Sequence, residues 1–248
     1  MSYIRIIPSL LLKNNKLVKG KNFKNHKNAG HPKTTINSLS YQGADEISIL
    51  NIDDNLKLND QINLQSIESF SANSTVPLTF GGGINDIETA TSIIKSGFEK
   101  IYISRGIFKN KNLIKNLVNN FGGQSIVGGI NILKQNHKYI ILNSKEENQD
   151  IINFIKFLEK QGLGEIKITF VDREGSKSGL DLDFCKLILK NTSLPCIFEG
   201  GIGNLNQIKD AIEIGVKAIG LGTLITYGDY NIIKIKSYLK NYNFNVRL

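Results

Sequence analysis

The sequence predicts an α/β fold, a (βα)8 TIM barrel that is built from two similar half-barrels, residues 1–122 and 123–248. Three observations favour this fold: strand and helix patterns alternate eight times, the strand patterns are short and almost wholly apolar, and the first half of the chain is echoed in the second. Parallel strands that are covered on both faces have this apolar character. Eight βα units close most naturally into a barrel, and barrels of 248 residues form one domain.

The internal repeat is clearest at two glycine clusters. Pro77 to Ile84 is echoed by Pro195 to Ile202, at an offset of 118 residues, and Gly97 is echoed by Gly215 at the same offset. Further upstream, Gly43 answers Gly162 with a slip of one residue. A repeat this long indicates two halves that differ in the lengths of their loops.

The predicted strands are rich in Ile, Val and Phe; they are Arg5–Leu11, Glu46–Ile52, Val76–Phe80, Lys100–Ser104, Ser125–Asn131, Glu165–Val171, Pro195–Glu199 and Ala218–Gly222. The predicted helices have one apolar face; they are Lys33–Gln42, Gln61–Ser71, Asp86–Ser96, Asn112–Asn120, Asn148–Gln161, Leu182–Leu189, Leu205–Ile214 and Asn231–Asn241. Asn85 or Asp86 caps the third helix, and Asn204 caps its counterpart in the second half.

Composition excludes several functional classes. No apolar run approaches the roughly 18 residues of a membrane span, and the first residues lack a signal-peptide pattern, so we expect a cytoplasmic protein with no membrane contact. Cys185 and Cys196 lack zinc-binding spacing and are interpreted as buried apolar residues; we predict no metal and no cofactor. The net charge of +9 comes from scattered lysines without an aromatic platform, which favours an anionic small molecule over nucleic acid.

The glycine clusters predict phosphate binding. In such a barrel the βα loops form the active site, and paired glycines there let backbone N–H groups approach a ligand. Gly82-Gly83 and Gly200-Gly201 follow the third and seventh predicted strands, and Gly222-Thr223 follows the eighth. A single pair is more simply a tight turn, but two symmetry-related pairs favour a ligand that carries two phosphates.

Several sequence blocks resemble one family, the cyclase subunit of imidazole glycerol phosphate synthase. The similar blocks span the whole chain: Arg5-Ile6-Ile7, Leu17 to Gly20, Gly81 to Ile84, Phe121 to Gln124, Asp172 to Gly179 and Asn245 to Leu248. The resemblance implies a barrel that receives ammonia from a glutaminase at its N-terminal face and uses it on a bisphosphorylated substrate at the C-terminal face. It adds Lys19, Gly175 and Ser176 to the expected phosphate-binding residues.

The resemblance also implies a charged ammonia gate at the barrel floor. The four gate positions are Arg5, Glu46, Lys100 and Glu165 in this sequence. Without the family, each is a charge at the start of an apolar strand, which is costly to bury unless it is paired. An ordinary salt-bridged barrel floor is the alternative interpretation.

Other positions depart from the family. Its two catalytic aspartates fall on Leu11 and Asn131, neither of which can transfer a proton. The phosphate contact after the fourth strand becomes Ser104-Arg105, and Arg105 can still bind phosphate. Asn51 replaces an aspartate, and Glu199 replaces a serine beside the second glycine pair, where it is expected to repel phosphate. These changes predict a different substrate.

The combination resembles paralogues that are associated with surface-polysaccharide genes, in which a glutaminase and a cyclase-like barrel pass ammonia to a sugar amidotransferase. We therefore predict an ammonia-receiving synthase subunit for amidation of a phosphorylated or nucleotide-linked sugar. One alternative is a divergent cyclase of histidine biosynthesis in which Asp53, Asp172 or Glu174 transfers protons. A second alternative is a non-catalytic scaffold that activates the glutaminase.

Overall fold

A computed structural model describes residues 3–53, 64–110, 112–136, 138–142, 144 and 150–247. Its strands are β1 (Arg5–Lys13), β2 (Lys16–Lys21), β3 (Lys24–Gly30), β4 (Ile47–Asn51), β5 (Leu78–Gly81), β6 (Lys100–Ile103), β7 (Ile126–Gln135), β8 (Lys138–Ile141), β9 (Glu165–Phe170), β10 (Cys196–Glu199) and β11 (Ala218–Leu221). Eight of these strands are parallel and pair in the order β1, β4, β5, β6, β7, β9, β10, β11. Because β11 pairs with β1 in turn, the sheet closes and the predicted (βα)8 barrel is confirmed.

The helices surround this barrel. They are α1 (Pro32–Tyr41), α2 (Leu64–Ser71), α3 (Ile87–Lys95), α4 (Arg105–Lys109), α5 (Leu113–Phe121), α6 (Ile151–Lys160), α7 (Leu182–Asn191), α8 (Leu205–Glu213), α9 (Thr223–Tyr227) and α10 (Ile232–Asn241), with a 3-10 turn at Gly123–Ser125. All eight predicted helices are present, although residues 61–63 and 148–149 of two predictions lie outside the described residues. The short helices α4 and α9 were not predicted. No described helix has the length and apolar character that crossing a bilayer would require.

The two halves repeat local details that the sequence had suggested. Asp86 caps α3 by accepting a hydrogen bond from the Thr89 N–H, and Asn204 caps α8 by accepting one from the Gln207 N–H. Gly82 and Gly200 both have positive φ, 116° and 112°, at the ends of β5 and β10. An added Cβ at either position would collide with the backbone at the end of the preceding barrel strand. Only glycine fits these turns without strain.

Two antiparallel hairpins extend the barrel strands beyond the C-terminal rim. Strands β2 and β3 continue from β1, and β8 pairs back onto β7. The sequence interpretation missed both hairpins and ended the first and fifth strands early, at Leu11 and Asn131 instead of Lys13 and Gln135. Both hairpins place polar residues beside the face at which the parallel strands end.

The core has two parts. The larger one lies between strands and helices and includes both free cysteines, Cys185 and Cys196, as predicted; burial raises the pKa of each thiol. The smaller part lies inside the barrel and contains Ile7, Tyr102, Val127, Ile197 and Ala218, against which Leu50 packs. Side chains of a barrel strand alternate between these two environments.

Candidate functional site

The four predicted floor residues meet in one ring of ion pairs. The ammonium group of Lys100 lies 2.7 Å from Glu46 and 2.9 Å from Glu165. The guanidinium group of Arg5 contacts Glu165 closely and lies 3.5 Å from Glu46. Thr79 donates a hydrogen bond of 2.6 Å to the second oxygen of Glu46. The ring therefore closes the N-terminal end of the barrel with two acids, two bases and a hydroxyl.

The charges of the ring stabilise one another. Burial alone would lower the pKa of Arg5 and of Lys100, but the adjacent carboxylates of Glu165 and Glu46 outweigh it and raise both pKa values. The two glutamates are almost fully buried, whereas 29% of the Arg5 side chain and 20% of the Lys100 side chain remain exposed. The basic partners thus connect the buried acids to the outer surface of the floor.

A cavity of about 550 Å³ opens at the opposite, C-terminal end of the barrel. Leu11 and Asn131, the two positions expected to lack a catalytic acid, both line it. The Asn131 amide approaches the Ser104 hydroxyl at 3.5 Å, and the Asn131 backbone carbonyl accepts a hydrogen bond from Leu142 N–H. The remaining predicted residues in the wall are Asn51, Asp53, Gly82, Gly83, Ser104, Arg105 and Glu199.

The first glycine pair and its cationic neighbours belong to this cavity. Gly82 and Gly83 form one wall, and Arg105 at the start of α4 lies beside them together with Lys109. Lys13 adds a third cation from β1, and His26 lines the same wall from β3. The rim is thus positively charged, which suits an anionic ligand.

The second group of predicted phosphate-binding residues lies outside this cavity wall. Lys19, on β2, forms a buried ion pair with Glu174, and an added Cβ at Gly222 would lie 3.2 Å from the Lys19 ammonium nitrogen. Arg173 lies close to Gly201, and its guanidinium donates to the Gly179 carbonyl. Ser176 donates a hydrogen bond to the Arg173 carbonyl, Gly175 approaches Lys21, and Thr223 begins α9. These residues share the C-terminal face, where β10 and β11 are adjacent as expected.

Comparisons with known proteins agree with this architecture. A family model described as "Histidine biosynthesis protein" matches residues 5–231. The chain belongs to this histidine biosynthesis protein family. It is 31% identical to "Imidazole glycerol phosphate synthase subunit HisF" of Thermotoga sp. (strain RQ2), over 98% of this chain and 97% of the relative. It is 34% identical to the HisF subunit of Methanocaldococcus jannaschii, over 98% of each chain, and 31% identical to a "Putative imidazole glycerol phosphate synthase subunit hisF2" of Vibrio vulnificus, over 100% of this chain and 92% of that one.

Within this HisF-like barrel, the three carboxylates suggested as replacement acids differ in position. Asp53 lines the cavity, and its two oxygens accept hydrogen bonds of 3.1 and 3.2 Å from the Asn14 N–H. Asp172 is not part of the cavity wall and accepts a long hydrogen bond from Lys134 N–H. Glu174 is buried against Lys19 and also accepts from Phe23 N–H, so it ties the β2–β3 hairpin to the loop after β9. Of these three carboxylates, Asp53 alone faces the cavity.

The second carboxylate in the cavity wall is Glu199, which sequence reasoning treated only as a residue that repels phosphate. Glu199 points into the barrel, where an oxygen of its carboxylate lies 2.6 Å from the ammonium group of Lys167. Lys167 is 2% exposed, and it donates a 2.9 Å hydrogen bond to the hydroxyl of Ser9. The charge of Glu199 is therefore compensated, which offsets the expected repulsion.

Burial and the charges of the Lys167–Glu199 pair shift the pKa values of groups in and around the pair. Burial opposes the ionisation of Glu199, but the charges of Lys167 and Lys19 outweigh it and lower the pKa of Glu199. Burial lowers the pKa of Lys19, and burial together with the Glu199 charge raises that of Tyr102. Lys167 was missed because an apolar strand that is buried on both faces gives no sign of which residues point toward the barrel axis.

Proposed function

We propose that this chain is the ammonia-receiving synthase subunit of a glutamine amidotransferase, which serves amidation of a phosphorylated or nucleotide-linked sugar. The observation that carries the proposal is a contrast between the two ends of the barrel. The floor holds a complete ring of Arg5, Glu46, Lys100 and Glu165, whereas Leu11 and Asn131, neither of which can transfer a proton, line the cavity at the opposite end.

The floor ring supports delivery of ammonia by a partner. A glutaminase that covers the N-terminal face would release neutral ammonia next to Lys100 and Arg5, both of which remain partly exposed there. Ammonia that was released into solvent would be protonated and would lose its nucleophilicity. We therefore propose a glutaminase subunit as the permanent partner of the floor, and a sugar amidotransferase as a further partner.

The cavity supports an anionic acceptor or product. Lys13, Arg105 and Lys109 place three cations around the first glycine pair, and Asp53 and Glu199 are the acids in the described wall. Arginine and backbone N–H groups at glycine turns bind phosphate oxygens through charge-assisted hydrogen bonds. A phosphorylated or nucleotide-linked sugar is anionic and carries the phosphate oxygens that these groups would bind.

A divergent cyclase is the second candidate, and the position of Asp53 favours it. Asp53 is a carboxylate at the cavity rim that could transfer a proton in place of the absent pair. Under this candidate the substrate would be the histidine-pathway bisphosphate, and Asp53→Asn would abolish turnover. A scaffold that only activates the glutaminase would show no ammonium-dependent product with any acceptor.

Copurification followed by an acceptor screen tests the proposal. Tagged protein is recovered from its native host, the bound subunits are identified, and the complex is supplied with ammonium and either nucleotide-linked sugars or the histidine-pathway bisphosphate. We expect a glutaminase among the bound subunits and an aminated or amidated sugar among the products. Turnover of the bisphosphate alone, or the absence of a glutaminase, would contradict the proposal.

A further inference from the structure

The two halves of the barrel repeat one arrangement at the C-terminal face, a glycine turn beside a short helix. Gly82 and Gly200 end β5 and β10 with nearly equal φ, and the short helices α4 and α9 each contain five residues. The residues before these helices, Ser104 and Gly222, have similar φ values of −117° and −109°. The backbone therefore forms two similar cradles. The first cradle consists of Gly82, Gly83, Ser104 and Arg105, and the second consists of Gly200, Gly201, Gly222 and Thr223.

The first cradle opens into the C-terminal cavity and is surrounded by available cations. All four of its residues line the cavity, together with Lys13 and Lys109. Lys13, Arg105 and Lys109 take part in no ion pair within the described part of the chain. A phosphoryl group that binds here therefore gains positive charge and breaks no ion pair among the described residues.

The second cradle is covered by the protein itself. None of its four residues belongs to the described wall of the cavity. Lys19 of β2 lies against the turn after β11, because an added Cβ at Gly222 would be 3.0 Å from its side-chain carbon and 3.2 Å from its nitrogen. An added Cβ at Gly201 would lie 2.3 Å from the Gly179 carbonyl oxygen. A lysine side chain and the loop after β9 thus fill the space beside this cradle.

An internal carboxylate holds Lys19 in this position. The Lys19 ammonium group contacts the Glu174 carboxylate directly, and the two residues are only 5% and 4% exposed. Glu174 also fixes the tip of the β2–β3 hairpin, since its backbone carbonyl accepts from the Asn22 N–H and its carboxylate from the Phe23 N–H. A phosphate that entered the second cradle would have to separate this buried pair and leave a carboxylate without its counter-charge, which is strongly unfavourable.

We propose that the cavity binds a sugar ligand with a single phosphoryl or diphosphoryl group at the first cradle, and that the Lys19–Glu174 pair closes the second cradle to phosphate. The inference deepens the proposed function, on which it rests for the ligand being a sugar. It replaces the expected ligand with two phosphates and excludes a bisphosphate that spans both glycine turns. A sugar phosphate and a nucleotide-linked sugar share this chemistry, because each carries its negative charge at one place in the molecule.

A titration of the isotope-labelled barrel with inorganic phosphate, followed by amide NMR with sodium chloride at equal ionic strength as reference, tests the closure. We expect saturable shifts of the amides in the first cradle, and no shifts beyond those in sodium chloride in the second. Saturable shifts in the second cradle would overturn the proposal, and so would their absence from the first. No glutaminase takes part, so a barrel that binds no glutaminase would sink the proposed function without affecting this result.

Variants test whether the ion pair closes the second cradle. Glu174→Gln leaves the Lys19 ammonium free to bind phosphate, so the second-cradle amides should respond at phosphate concentrations at least about tenfold below any response of the native protein. Lys19→Met/Glu174→Gln should not show this response, because no cation remains there. Glu213→Gln, which removes an exposed partner of Lys209, is the matched control and should behave like the native protein. A silent second cradle in folded Glu174→Gln, or an equal response in the double variant, would overturn the role of the pair; the native titration decides the closure even if Glu174→Gln does not fold.

Competition against bound phosphate tests the class of ligand. Fructose 1,6-bisphosphate should displace phosphate from the first cradle within about threefold of the concentration needed for fructose 6-phosphate, because two linked groups gain affinity only when both can be seated. An advantage of more than about tenfold for the bisphosphate would overturn the proposal. N-acetylglucosamine 1-phosphate and uridine diphosphate N-acetylglucosamine distinguish the two sources of the single anionic group, since the tighter competitor shows which one the cavity prefers.

Discussion

At the scale of single residues, Lys167 and Glu199 are the charges whose removal has the clearest physical consequence. Both are buried, and each is the principal counter-charge of the other. Removing one member of a buried pair leaves an uncompensated charge, whereas replacing both removes the electrostatic penalty as well as the attraction. The pair therefore contributes more to the cost of single substitutions than to net stability.

Glu199→Gln should lower the free energy of unfolding by about 3 kcal/mol, because Lys167 would lose its counter-charge. Lys167→Met/Glu199→Gln should recover at least half of that loss. Urea denaturation of the three proteins measures both values. Equal destabilisation in the single and double variants would contradict the account of this pair.

The lowered pKa of Glu199 predicts a pH dependence of stability. The native state binds the proton of this carboxyl more weakly than the unfolded state, so the stabilisation is complete above the unfolded pKa, about 4.3, and is lost as pH falls through the lower folded value. As the pH is lowered from 6 to 2.5, the free energy of unfolding should therefore fall less steeply in Lys167→Met/Glu199→Gln than in the native protein. Parallel profiles would show that Glu199 does not contribute to acid sensitivity.

Leu11 and Asn131 predict the absence of cyclase turnover. The purified barrel, given the histidine-pathway bisphosphate and ammonium, should form no cyclised product, since neither side chain transfers a proton. Leu11→Asp/Asn131→Asp should give only weak turnover, because the family resemblance leads us to expect different residues at Asn51 and Glu199 in the same cavity wall as well. Native turnover within about tenfold of a typical enzyme rate, around 10 per second, would contradict this prediction.

At the scale of elements, the sequence interpretation located all eight barrel strands and eight helices but missed β2, β3 and β8. Barrel strands can be recognised in the sequence as short apolar runs between glycines and helix caps. The residues of β2 and β3 are mainly Lys, Asn and Gly, with few buried side chains, so they carry no alternating apolar pattern. Their strand conformation depends on pairing with β1 and on the Lys19–Glu174 ion pair, contacts between residues far apart in sequence.

The candidate site, like the fold, could be predicted from the sequence only in part. The floor ring could be found because each of its charges begins an otherwise apolar strand, and Gly82-Gly83 could be found from the repeat. The Lys167–Glu199 contact could not, because it joins the middle of one strand to the end of another across the barrel interior. Which residues face the axis is set by the closure of the barrel, not by local pattern.

Glu174→Gln should loosen the β2–β3 hairpin. The substitution leaves the buried Lys19 ammonium without its ion-pair partner, and Glu174 also accepts from Phe23 N–H. Hydrogen exchange of residues 16–30 should become at least about tenfold faster, equivalent to about 1.4 kcal/mol of local stability. Glu213→Gln, which removes an exposed partner of Lys209, is the matched control and should leave exchange in the hairpin unchanged. Unchanged exchange in Glu174→Gln would show that strand pairing alone holds the hairpin.

At the scale of the whole molecule, the barrel has two chemically different ends. The floor is a nearly neutral ring of two acids and two bases, and the C-terminal cavity has a cationic rim. Between them lies a mixed interior in which apolar side chains surround Ser9, Ser48, Lys167 and Glu199. A path from one end to the other must therefore pass two ionic layers, the floor ring and the Lys167–Glu199 pair.

The ratio of glutamine-driven to ammonium-driven product, measured in the reconstituted complex with glutaminase, tests the ammonia route most directly. Lys100→Ala is compared with the native protein, and Lys209→Ala, on the exposed face of α8, is the control. We predict that Lys100→Ala lowers the ratio several-fold while glutamine hydrolysis and the ammonium-driven rate persist, because the open ring loses ammonia to solvent. Loss of Lys100 also leaves buried acid uncompensated, at a cost of a few kcal/mol, so folding is checked by thermal denaturation. A parallel fall of both rates in the folded variant, or a native barrel that binds no glutaminase, would contradict the account.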